Sequence, residues 1–175
     1  MRTPPLVLEE LLSGGDLRST GAADQAATAL LSGNWTSEEF LSLIERAAPV
    51  VRMRAADALE KATRSDPTLI QGSASRLLRL LTQPQPKEVR WHLLQMAPRL
   101  KWEASKQSAV LSAVERAFDD SSAIVQTSAL QALAELSGQS KAFDIAFQQH
   151  HLRALTSHLP SVRARARNLV RHNGA

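Results

Sequence analysis

The sequence predicts an all-α protein, a stack of about five antiparallel helix pairs. Composition is the first observation. Ala and Leu dominate a chain that is 43% hydrophobic and only 4% aromatic, so helix formers are abundant and β-branched residues sparse. A repeat is the second. A Val followed by a polar residue recurs at Val51-Arg52, Val89-Arg90, Val125-Gln126 and Val162-Arg163, at spacings of 38, 36 and 37 residues. The third is that Gly and Pro fall mostly at intervals, as breaks between elements.

In chain order, a short helix is expected near Leu6–Leu12 and ends before Gly14-Gly15. A weak copy of the repeat starts at Ala22-Ala23, with Ala26, Ala29 and Leu30 as its apolar set, and Gly33-Asn34 closes it. Ser37–Arg46 follows. Thr36 and Glu39 have capping-box spacing there, and Trp35 and Phe40 have hydrophobic-staple spacing. The next helix starts near Pro49 and carries Val51, Ala55, Ala58 and Leu59. Asp66-Pro67 breaks it. Pro67–Thr82 keeps Leu77, Leu78 and Leu81 at helical spacing, and Pro84 to Pro86 end it. Val89, Leu93, Met96 and Ala97 repeat the earlier set. Glu103–Phe118 carries Val110, Val114 and Phe118. Asp119-Asp120 before Ser121-Ser122 puts acids at a helix start. Val125, Ala129, Ala132 and Leu133 follow, up to Gly138. Lys141–His158 holds Ala146, Leu152 and Leu155, and after Pro160 come Val162, Ala166, Leu169 and Val170. Offsets of 0, 4, 7 and 8 from each Val mark one helix face, so each repeat pairs a first helix with an amphipathic second one. Pro49, Pro86 and Pro160 sit at or near second-helix starts, where a missing N–H costs little.

The run Val51-Arg52-Met53-Arg54-Ala55-Ala56-Asp57-Ala58-Leu59 resembles the second helix of the HEAT repeat, a hairpin unit of the armadillo-like superfamily. Val162-Arg163-Ala164-Arg165-Ala166 is similar. Val125-Gln126 with Ala129, Ala132 and Leu133 fits with Gln in place of Arg. The resemblance covers roughly residues 5 to 171. It implies a right-handed α-α superhelix with second helices on its concave surface, and it is nearly silent on function. The family often has an Asp before the Val that pairs with the Arg of a neighbouring repeat. Only Asp119 and Asp120 occupy such a place here, which leaves Arg52, Arg90 and Arg163 open to other partners.

One domain over 1–175 is expected, with repeats at about 5–33, 35–65, 67–100, 102–138 and 141–172. The absence of Cys excludes disulfides, thiol nucleophiles and Cys-ligated zinc. No stretch approaches the roughly 20 apolar residues of a membrane span. The apolar run at the N-terminus is short and broken by Glu9 and Glu10, unlike a signal peptide. The protein is read as cytoplasmic. Its net charge of +4 is uneven: residues 141–175 hold six basic side chains and one acid, so that segment carries +5 and the other 140 residues −1.

Offsets 3, 6 and 10 form a mainly polar stripe opposite the apolar face: Gln25, Thr28 and Ser32; Arg54, Asp57 and Lys61; His92, Gln95 and Arg99; Ser128, Gln131 and Glu135; Arg165, Asn168 and His172. As a connected surface it is the expected partner-binding face, with Arg54, Asp57, Trp91, His92, Gln95, Arg99, Gln131, Arg165 and Asn168 as its contacts. Trp91, at offset 2, is either an anchor for a peptide or base or half-buried packing against the next repeat. Trp35 and Trp102 share one repeat position at hairpin corners and read as packing. Arg163, Arg167 and Arg171 follow i, i+4, i+8 spacing and are anion-binding candidates. Arg167 also occupies an offset where inner repeats carry Ala27, Ala56, Leu94 and Leu130, so a polar cap on the last repeat is the competing reading.

No HExxH, GxSxG, Walker loop or dinucleotide-binding glycine pattern is present, and His150, His151 and His158 lack metal spacing. The expected function is a non-catalytic scaffold without metal or cofactor, holding a protein or peptide on its second helices. Two alternatives stand beside it. One is a nucleic-acid-binding protein resembling HEAT-like alkylpurine DNA glycosylases, for which Trp91 with Asp57 is the only echo. The other is a helper subunit resembling HEAT-like bilin lyases.

Overall fold

The computed structural model describes residues 5–172, with side chains described from Leu8 to Leu169. Within that range it is helical, with no strand. The α-helices are α1 (Pro5–Leu12), α2 (Ala23–Leu31), α3 (Ser37–Arg46), α4 (Pro49–Ser65), α5 (Ala74–Thr82), α6 (Lys87–Met96), α7 (Ala104–Arg116), α8 (Ala123–Leu136), α9 (Lys141–Leu155) and α10 (Pro160–His172). Odd-numbered helices are the first of each pair and even-numbered ones the second. Short connections turn the last four pairs back on themselves, a longer one, 13–22, joins the first pair, and α1 packs on α2, α3 on α4, α5 on α6, α7 on α8 and α9 on α10. The chain groups into two compact units, divided between Leu100 and Lys101, where the third and fourth repeats were expected to meet.

Local signals set the helix ends. Glu39 accepts from the Thr36 N–H at 2.7 Å, and the Trp35 and Phe40 rings meet edge-on at 6.4 Å, so capping box and staple both open α3. Gly33, at φ +76, closes α2 as a Schellman turn: its N–H donates to the Leu30 carbonyl and that of Asn34 to the Ala29 carbonyl, both at 3.0 Å. Pro49 and Pro160 are the first residues of α4 and α10, and Pro86 caps α6. Three first helices are shorter than their periodicity suggests. Pro67–Ser73 is a 3₁₀ segment before α5, where Asp66 accepts from Thr68 N–H and Gly72 disfavours α-helix. α7 ends in a 3₁₀ turn at Ala117–Asp119, and α9 stops at Leu155.

In the first unit, α4 is the central helix. It packs against α1, α2, α3 and α6, and its buried residues run around almost its whole circumference. Ala55, Ala56 and Ala58 are fully buried, and their small side chains let neighbouring helices approach closely. In the second unit, α8 takes the same place among α7, α9 and α10. Val51, Val89, Val125 and Val162 are all buried, as are the offset-4 residues Ala55, Leu93, Ala129 and Ala166. Each buried Val or Leu contributes about 1.5–3 kcal/mol of transfer free energy. Trp35 and Trp102 are buried at their hairpin corners.

Candidate functional site

Second helices pack side by side, α4 between α2 and α6 in the first unit and α10 on α8 in the second. That packing decides what the polar stripe does. The offset-3 residue of one second helix meets the offset-6 residue of the preceding one. His92 Nε2 lies 4.0 Å from Asp57 Oδ1, and Arg165 Nη1 donates to Gln131 Oε1 at 3.2 Å. Asp57 and His92 are therefore buried, at 6% and 5% exposure; Arg54, at 2%, is buried under the α1–α2 connection, and Ser128 is buried too. The expectation that the stripe faces solvent is corrected at these positions: neighbouring helices cover a face that an isolated helix would leave wet.

The charges in this seam are partnered. Lys61 Nζ bonds Asp24 at 2.6 Å and Asp57 at 2.8 Å. Arg99 bonds the Glu60 carboxylate, the Glu60 carbonyl at 2.7 Å and Thr63 Oγ1 at 2.6 Å. Arg64 reaches Glu60 from the other side at 2.5 Å. Burial alone would raise the Glu60 pKa, but hydrogen bonds from Arg64 and Arg99 outweigh it and hold the pKa below the ordinary value. Burial pushes His92 down and so favours the neutral ring, against the opposing Asp57 charge, which favours the imidazolium. Arg99 is thus a seam residue and not a free contact.

Arg54 has no carboxylate partner among the described residues. Its guanidinium donates to five main-chain carbonyls of the α1–α2 connection: Leu12 at 2.9 Å, Ser13 at 3.0 Å, Gly14 at 2.6 Å, Asp16 at 3.3 Å and Ser19 at 3.1 Å. A Cβ on Gly21 would stand 2.7 Å from the Arg54 Cζ, and φ there is +53, so only glycine fits. Sequence reading missed this role. The signal was present as a glycine-rich connection, Gly14, Gly15 and Gly21, with free main-chain carbonyls for a cation to meet.

The arginines expected to be open are also engaged. Arg52 donates to the Ile44 carbonyl at 2.8 Å and to the Gln85 side chain, so an amide stands where the family often has Asp. Arg163 donates to the Ser157 carbonyl at 2.6 Å, and Arg90 has a partner too. His150 stacks on Phe118 with centroids 4.1 Å apart and lies 3.5 Å from Glu115, while His151 Nε2 sits 2.9 Å from the Ala166 carbonyl. Among the described residues no group of three or more His, Asp or Glu side chains could hold a metal ion. No described helix is long and apolar enough to cross a membrane.

What remains at the surface of the second helices is a smaller set. In the first unit Trp91 and Gln95 are half-buried on α6. Trp91 satisfies its indole N–H on the Glu88 carbonyl at 2.7 Å and leans on the His92 ring at 4.5 Å. In the second unit Gln131 is half-buried and donates to Glu135 at 2.7 Å, while Arg165, Arg167 and Asn168 are exposed. The side chains of Arg171 and His172 lie outside the described residues.

No protein-family model matches the chain, and no curated protein matches it. Solved structures do. A computationally designed armadillo repeat protein for modular peptide recognition superposes with a TM-score of 0.66 at 16% identity, over 94% of this chain and 79% of that one. An engineered protein matches at TM-score 0.60 and 18% identity, over 95% and 79% of the two chains. A designed armadillo repeat protein in complex with the peptide (KR)4 matches at TM-score 0.56 and 15% identity, over 94% and 79%. The fold is an all-α solenoid of armadillo/HEAT-like repeats.

Proposed function

We propose that this chain is a non-catalytic repeat scaffold that binds a peptide or protein segment on the exposed part of its second helices. One observation carries the reading. Once Asp57 is engaged in the seam, the offset-6 positions left at the surface are all uncharged hydrogen-bonding groups: Thr28 on α2 and the carboxamide of Gln95 on α6 in the first unit, and the carboxamides of Gln131 on α8 and Asn168 on α10 in the second. A carboxamide both donates and accepts, which matches the paired N–H and C=O of an extended peptide main chain. Trp91 adds a rigid aromatic surface beside Gln95, the residue type that most often anchors an interface. Designed proteins of this fold are described as built for peptide recognition, and one is solved with a peptide bound. That supports the reading by analogy of fold.

Peptides selected from a random display library against the full chain provide the test. Trp91→Ala with Gln95→Ala, and separately Gln131→Ala with Asn168→Ala, should each weaken a selected peptide about 10-fold if it uses that face. Circular dichroism should stay unchanged. Undiminished affinity in both double variants rejects the second-helix surface.

A further inference from the structure

The exposed face of α10 is cationic and has no acid of its own. Pro160–His172 contains no Asp or Glu. Among the described residues no carboxylate lies within ion-pair distance of Arg163, Arg165 or Arg167. The other acids of the second unit are engaged: Glu103 with Lys106, Glu115 with His150, Asp119 with Arg153, Asp144 with Gln148 and Glu135 with Gln131. Asp120 has a partner as well.

The helix turn of about 100° per residue orders these groups. Val162, Ala166 and Leu169 are buried and set the inner side. Ala164 and Asn168 then lie near the middle of the exposed arc. Arg165 stands on the edge facing α8, where it meets Gln131, and Arg167 stands on the opposite edge. On the exposed arc of α10 a carboxamide thus stands between two guanidinium groups.

We infer that the α8–α10 face takes an acidic extended peptide, with Asn168 and Gln131 pairing its main chain and Arg165 and Arg167 each holding an Asp or Glu side chain. The inference rests on the peptide-scaffold reading and names the chemistry of the partner. Guanidinium matches carboxylate as a bidentate fork, and both arginines are placed to present it outward. A nucleic acid fits less well. Three described cations on one helix fall short of the roughly 6–10 phosphate contacts of a typical site. A carboxamide platform also suits a main chain of alternating donors and acceptors better than a phosphodiester.

The same library selection on the full chain supplies the probes. Peptides enriched in Asp and Glu are expected. Their affinity should fall about 10- to 100-fold in Arg165→Gln/Arg167→Gln, fall with added salt, and stay unchanged in Arg116→Gln, a cation on α7. Enrichment of basic or uncharged peptides overturns the acidic partner and leaves the scaffold reading standing. Failure to select any peptide overturns both. Acidic peptides indifferent to Arg165→Gln/Arg167→Gln place the site elsewhere. Single-stranded DNA that binds through the same arginines more tightly than the selected peptides assigns the face to nucleic acid and overturns the inference. A thermal melt of the double variant that matches the parent confirms that affinity, and not folding, was changed.

Discussion

Arg54 carries a full charge at 2% exposure, and a buried guanidinium is stable only when all its donors are met. Here all three of its nitrogens donate to carbonyls of one connection, Nε to one, Nη1 to a cluster of three and Nη2 to one, so the cation and the loop order each other. Arg54→Met is expected to cost about 3 kcal/mol, because it strands several carbonyls at once. Urea denaturation followed by circular dichroism measures it. Arg54→Lys should recover only part of the loss, since three donors on a point charge cannot reproduce a planar fork. Equal midpoints for Arg54→Met and the parent would show that the cage contributes nothing. Trp91 illustrates the opposite case. Its ring is half-buried and its N–H is already bonded, so it offers a partner an apolar surface without an unmet donor.

α3 shows how much a short segment can specify alone. Thr36, Glu39, Trp35 and Phe40 lie within six consecutive residues, and their contacts form with no help from the rest of the chain. Glu39→Ala removes the bond to the Thr36 N–H and should cost about 1 kcal/mol, read as a lower thermal midpoint. Glu39→Gln should retain most of it. α5 shows the reverse. The apolar periodicity of Pro67–Thr82 is continuous, yet only Ala74–Thr82 is α-helical, because the Asp66 side chain and Gly72 favour a tighter first turn. Second helices are decided later still. The same offsets are solvent-exposed on α2 and α10, which have fewer neighbours, and buried on α4, which has neighbours on both sides.

Several ionisable groups are tuned by packing in one direction, and together they set the pH dependence of stability. Glu45 is held down to about 2, first by its hydrogen bonds from Arg76, at 2.8 and 3.0 Å, and then by Arg79, against an opposing effect of burial. Glu38 is lowered by Ser73 and Arg76, and Glu60 by Arg64 and Arg99. A carboxyl with a depressed folded pKa contributes stability above its unfolded value of 4.5 and loses it as pH falls through the folded one. His92, depressed from 6.5 by burial, acts in the same sense at higher pH. The thermal midpoint should therefore decline gently below pH 6.5 and steeply below 4.5. Glu45→Gln should flatten the lower part of that curve. A midpoint constant from pH 7 to pH 3 would contradict the assigned ion pairs.

Period, breaks and caps were legible from the chain alone because they depend on neighbours in sequence. Apolar residues every three or four positions find one face of a helix, and Gly33, Pro49 and Thr36 act within a single turn. They were enough to locate α3 to the residue and to identify the repeated Val as core. The fate of the polar residues was not legible. Arg54, Asp57 and His92 have the spacing of a wet stripe. Whether water or another helix faces them depends on which helix lies alongside and at what rotation, a property of contacts between residues some 35 positions apart. Asn168 and Arg165 have the same spacing and remain exposed. Sequence periodicity reports that a face is polar; only packing reports what that face meets.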